Sequence, residues 1–109
     1  MSFNQFLSDR IRTAIGHKKN ISEMKMFSGI GFVLKGKMLI GVWKDSMIVR
    51  LGTEEGELAL RERHVKEFDI TVKSMAGWIM VGAEGVGNDD EVDGWVRRAV
   101  KFVKMLPGK

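Results

Sequence analysis

Side chains able to do chemistry are few and scattered in this 109-residue chain. It has two histidines, His17 and His64, and no cysteine. A zinc site would need both imidazoles plus carboxylates, yet the two lie far apart in polar stretches, whereas metal ligands come clustered. Both read as surface histidines. Asp89, Asp90, Glu91 and Asp93 have the composition of an acid–base pair or a hard-cation site. They also open a predicted helix, where each carboxylate favours the positive end of the macrodipole by about 0.3–1 kcal/mol. That structural role accounts for them.

Phosphate chemistry fares no better. Gly29-Ile30-Gly31 and Gly85-Val86-Gly87 each lack the third glycine of a dinucleotide fingerprint, and no Gly-Lys-Ser/Thr occurs. The second loop runs straight into Asp89-Asp90, which would repel a phosphate at that helix start. None of Ser8, Ser22, Ser28, Ser46 and Ser74 stands in a Gly-x-Ser-x-Gly context. The chain therefore reads as non-enzymatic, with no cofactor and no metal.

Two basic clusters remain: Arg61, Arg63 and Lys66 around His64, then Arg97, Arg98, Lys101 and Lys104. Either can meet phosphates. Without a recognition helix, an RNP motif or interleaved exposed aromatics, the contact would be backbone-driven and weakly specific. Cations late in a helix also complement its dipole. The net charge of +4, from 18 basic and 14 acidic residues, is a mild excess. Weak nucleic-acid binding is thus the alternative expectation, behind protein contact. The latter is suggested by eight methionines and three tryptophans. Met38, Met47, Trp43, Trp78 and Trp95 suit a core. A Met/Trp patch left exposed on a sheet fits a protein partner or a second copy, because methionine adapts to irregular surfaces. Met38, Trp43 and Met47 are the candidates, with a homodimer joined by sheet faces or edges as one form of that contact.

The elements that position these residues centre on 26–52. Ile30, Phe32 and Leu34 share one face of a strand Gly29–Leu34. Lys35-Gly36-Lys37 turns, with Gly36 free to take a positive φ. Met38–Trp43 is apolar on both faces (Met38, Ile40, Val42 against Leu39, Gly41, Trp43), as in a central strand covered twice. After Lys44-Asp45-Ser46, Met47, Val49 and Leu51 face inward. An edge strand over Ile21–Phe27 precedes this meander. Before it, a helix Ser2–Ile15 carries Phe3, Phe6, Leu7, Ile11, Ala14 and Ile15 at helical period, with Ser2 and Gln5 spaced as a capping box. Thr53 is placed to cap a short helix to about Glu62. Phe68, Ile70 and Val72 alternate as a half-buried strand, paired with Trp78–Val81 in a hairpin. A last helix starts at Asn88, with Glu91 at capping-box spacing, and buries Val92, Trp95, Val96, Ala99, Phe102, Val103 and Leu106.

The composition, 44% hydrophobic and 29% charged, fits one domain over residues 1–109. No apolar run approaches the ~18 residues of a membrane span, and MSFNQFLSDRIR is no secretory leader. The absence of cysteine suits a reducing cytoplasm. The expectation is a cytoplasmic protein without membrane contact.

Read in order, Lys25-Met26-Phe27-Ser28-Gly29, Gly36-Lys37-Met38 with Gly41-Val42, Val49-Arg50-Leu51-Gly52, Phe68-Asp69-Ile70-Thr71, Met75-Ala76-Gly77-Trp78, Trp95 and Leu106-Pro107-Gly108-Lys109 resemble the N-terminal domain of the TfoX/Sxy family. The resemblance covers essentially the whole chain. It implies a bacterial, competence-regulator-like domain of the freestanding kind, linked to transcriptional regulation. It also implies an α+β fold: a curved antiparallel β-sheet, meander plus C-terminal hairpin, flanked by N- and C-terminal helices with one short middle helix.

Overall fold

The computed structural model describes residues 5–16, 20–26, 29–67 and 77–106. The chain runs α1 (Gln5–Ile15), β1 (Ile21–Met26), β2 (Gly29–Leu34), β3 (Lys37–Trp43), β4 (Ser46–Arg50), α2 (Thr53–Ala59), β5 (Val65–Glu67), β6 (Trp78–Val81), a 3-10 turn (Ala83–Val86) and α3 (Asp89–Lys104). The strands form one antiparallel sheet in the order β1-β2-β3-β4-β6-β5. This is the expected α+β fold, with helices at both ends and a short one between.

The meander follows from local chemistry. Lys35 (φ 51°) and Gly36 (φ 84°) are both left-handed, giving a two-residue turn whose twist matches that of the strands it joins. The closing pair extends the sheet from β4, since β6 pairs with β4 and with β5. The predicted strand Phe68–Val72 and the link Ser74-Met75-Ala76 lie outside the described residues, as do Ser2, Phe3 and His17.

Two helix boundaries differ from expectation. Thr53 does not cap α2: it is the first helical residue, and Gly52 (φ 88°) occupies the cap without any side-chain bond. The helix also stops at Ala59. From there Arg61 N–H donates to Leu58 O and Glu62 N–H to Ala59 O, the tighter i→i+3 pattern of a helix running out. In α3, Asn88 caps as read, accepting from Glu91 N at 2.9 Å, while the Glu91 carboxylate accepts from Gly87 N at 3.0 Å. The buried stripe is Val92, Trp95, Val96, Ala99, Val100 and Val103, with Phe102 half-buried at its margin.

All of the described helices feed one core on one side of the sheet. Leu7, Ile11 and Ile15 from α1, Ala59 from α2 and the α3 stripe pack there with Ile30, Phe32, Leu34, Val42, Met47, Val49, Ile79 and Val81. The β2–β3 ladder shifts register between Phe32 and Val33, pairing Phe32 with Ile40 but Val33 with Met38. Leu39 is the extra residue, so Leu39 and Ile40 both turn into the core at 0% exposure. The alternation read from sequence, with Met38 beside Ile40 and Leu39 beside Trp43, is corrected by this bulge. Met38 goes to the face opposite the helices, where a Cβ built on Gly41 would lie 3.2 Å from Met38 Cε.

Candidate interaction surface

Strand register lines up one row of residues across the face that carries none of the described helices, the helix-free face of the described residues. Met24 pairs with Gly31, Gly31 with Gly41, Gly41 with Ile48, Ile48 with Met80 and Met80 with Lys66. The row differs along its length. At the β4–β6 end Ile48 and Met80 are buried. At the β1–β3 end Met24 is 51% exposed, and Val33, Met38 and Trp43 are half-buried around the two glycines. A cation stands at the margin of this apolar region: Lys44 Nζ lies 4.7 Å from the Trp43 ring centroid, while Lys66 is exposed on β5 at the other edge of the sheet.

Of the three candidate contact residues, the structure brings Met38 and Trp43 to this face and sends Met47 elsewhere. Met47 is fully buried, paired with Val42 and Val81 on the core side, because it shares the inward phase of Val49 and Leu51. Sequence reading missed Met24 and the stacked Gly31–Gly41 pair. Counting outward from the Gly36 turn would have found the glycines only with knowledge of the bulge.

Arg50 sits at the end of β4. Its guanidinium lies 5.5 Å from the Trp78 ring and 5.9 Å from Phe102, and donates to Met38 O at 3.2 Å. That carbonyl lies beyond the last β3–β4 pair, Ile40 with Val49, so the side chain supplies a bond the ladder does not.

The basic clusters are partly neutralised and partly divided. Arg98 pairs with Glu62 at 3.0 Å and stacks 4.3 Å from the Trp95 ring centroid. Arg97 pairs with Asp93 one turn earlier. Lys101 and Lys104 remain exposed. Arg61 and Arg63 meet Arg98 around a depression of about 610 Å³, but Glu62, Glu84, Asp90 and Glu91 line it as well. Lys66, next to them in sequence, is on the opposite face, opposite Met80. His64 lies in the depression with Nδ1 3.3 Å from Glu84 Oε1.

Three of the four acidic residues that open α3 are committed to structure. Asp89 accepts from Arg10 Nε at 3.0 Å, Asp93 holds Arg97 and Glu91 binds the Gly87 amide. Among the described residues no three His, Asp or Glu side chains come together as a metal site would require. No described helix is long and apolar enough to cross a membrane. Elsewhere on α1, Arg12 makes a two-pronged link to Glu23, tying α1 to β1, and also reaches Asp9. The bond to Glu23 is the main reason its guanidinium is held above its ordinary pKa.

A sheet with all its described helices on one side, a half-exposed apolar surface on the other and partly ion-paired charge clusters describes an open-sheet α+β domain. The chain belongs to the TfoX N-terminal domain family, whose model matches residues 14–103. It is therefore a competence-regulator-like domain. A search of curated proteins and one of solved structures each found no match.

Proposed function

We propose that this is a non-enzymatic cytoplasmic regulatory domain that acts by protein contact through the β1–β3 half of its helix-free face. The observation that carries the reading is the cluster of Met24, Val33, Met38 and Trp43 around Gly31 and Gly41, accessible on a face that receives none of the described helices. Glycines keep the centre low, and methionine and tryptophan are residues that interfaces favour. With Lys44 at the margin, the fitting partner is a protein segment whose apolar side chains are followed by an acidic one. Family membership supports a regulatory role, with transcription in bacterial competence as its natural setting.

The test compares wild type with Met38→Lys and Trp43→Ala in cells that express the protein. Cross-links from Lys44 to an acidic segment of one partner, lost in both variants while circular dichroism stays native, are expected. An unchanged set of cross-linked proteins would refute the reading.

A second reading, accessory nucleic-acid binding, is favoured by one observation: the two basic clusters converge at Arg98, with Lys101 and Lys104 exposed beside them. Titration of duplex and single-stranded DNA across salt decides it. Binding at low salt with a slope reduced by Lys101→Ala plus Lys104→Ala supports it, and no binding at low salt ends it.

A further inference from the structure

We infer that β1 is a self-complementary edge and that two copies of the chain join through it into one continuous antiparallel sheet. This extends the protein-contact reading from the β1–β3 face to the β1 edge, with Met24 common to both. It is tested apart from that reading by Trp43→Ala, which should affect only the face.

The phase of the free edge is fixed by one bond. Asn20 O accepts from Lys35 N at 3.0 Å, and the β1–β2 register then runs without a break from Ile21–Leu34 to Met26–Gly29. In an antiparallel ladder the residues that turn both backbone groups toward the neighbour alternate. Asn20, Ser22 and Met24 therefore point theirs into β2. Ile21, Glu23 and Lys25 point theirs outward, where no described strand pairs with them. A six-residue edge whose outward amides and carbonyls meet no partner strand among the described residues is a template for another strand.

The residues on this edge select a second copy as that strand. With a two-fold axis through Met24, Glu23 falls opposite Lys25 of the other copy, and Lys25 opposite its Glu23. Both are the outward-bonding positions, so each pair exchanges two backbone bonds and sets opposite charges on the helix side of the sheet. There Lys25 would share the Glu23 carboxylate with Arg12 of the other copy. Lys25 is exposed and has no ion-pair partner among the described residues. Met24, one of the few large hydrophobic side chains left exposed, would meet Met24 of the other copy at a close, non-hydrogen-bonded position. The axis is perpendicular to the sheet. The helix-free faces therefore continue into each other across the methionine pair.

The absence of cysteine makes the geometry directly testable. Cross-strand pairs of the Met24 type have Cα atoms about 4.5 Å apart, within the range a disulfide spans. Under mild oxidation Met24→Cys is expected to give a covalent dimer. Ser22→Cys, on the same face but displaced from the axis, is expected to stay monomeric. In sedimentation the wild type is expected to be largely dimeric at about 100 μM and to dissociate on dilution, as a small interface should. Lys25→Pro removes an outward amide without touching the β2 ladder, and Lys25→Glu sets like charges opposite. Both are expected to be monomers with unchanged circular dichroism, whereas Trp43→Ala remains a dimer. A wild type that stays monomeric at 100 μM, equal cross-linking of the two cysteine variants, or a dimer indifferent to Lys25→Pro and Lys25→Glu would overturn the inference.

Discussion

Gly77 lies backbone to backbone against Gly52: a Cβ on Gly77 would stand 3.1 Å from Gly52 C and 3.2 Å from Gly52 Cα. The Gly77 carbonyl accepts from Leu51 N at 2.8 Å and from Gly52 N at 3.1 Å. Both glycines have left-handed φ, and a Cβ on Gly52 would strike the Phe102 ring. Here β4, α2, β6 and α3 close on one another. Gly77→Ala should cost about 2 kcal/mol or more, the left-handed penalty plus the clash. Gly52→Ala should cost more, since Phe102 must also move. Gly36→Ala has the same φ sign but nothing within 4 Å, so only the conformational penalty of about 1–2 kcal/mol applies. Urea unfolding of the three variants gives the order.

The cap of α3 makes a sharper comparison. Asn88→Ala should lose about 1 kcal/mol, because the Glu91 amide is left without its partner. Asn88→Asp should recover most of that loss, since the acceptor returns along with a favourable charge. Thermal melting distinguishes the two.

Arg12 and Glu23 join α1 to β1 at the surface, both side chains being more than a third exposed. Arg12→Ala should therefore cost under about 1 kcal/mol, and less in high salt. Ile11→Ala, its fully buried neighbour, should cost about 2–5 kcal/mol. The sign with pH is fixed by the raised pKa of Arg12: its contribution is fully present below the ordinary arginine value and is lost only as pH rises past the raised one. The difference between wild type and Arg12→Ala should thus stay constant from about pH 6 to pH 10, as read by unfolding at each pH.

On α3, Lys101 and Lys104 are exposed, so replacing both with Ala should change stability by no more than about 0.5 kcal/mol. Arg98 covers the Trp95 ring and holds Glu62, and its loss should be felt more. Arg98→Ala should lower the melting temperature detectably beyond the double lysine variant.

The sequence made the core-facing rhythm of Ile30, Phe32 and Leu34, of Met47, Val49 and Leu51, and of the α3 stripe readable, because period and burial agree there. It also gave the Asn88 cap. What it hid has physical causes. Val65-Lys66-Glu67 carries one apolar residue and reads as part of a charged stretch, yet it is a strand, because an edge needs only one inward side chain. The consecutive Leu39 and Ile40 gave no sign of a bulge, since both residues were apolar on either assignment. The charge clusters were visible as lists of cations. The neutralisation of Arg98 by Glu62 was not, because that pair joins residues distant in sequence, whereas Asp93 and Arg97 stand at the i,i+4 spacing a helix pairs.

That inserted Leu39 decides more than the packing around it. By displacing the alternation by one step, it turns the end of the hairpin over and delivers Met38, not Leu39, to the outside. A chain with the same residues but an even ladder would hide its methionine and present a different wall to the cell. What the domain shows to others is thus encoded in the spacing of a hairpin, and single-residue insertions or deletions between Gly36 and Gly41 should rewrite it more thoroughly than any substitution.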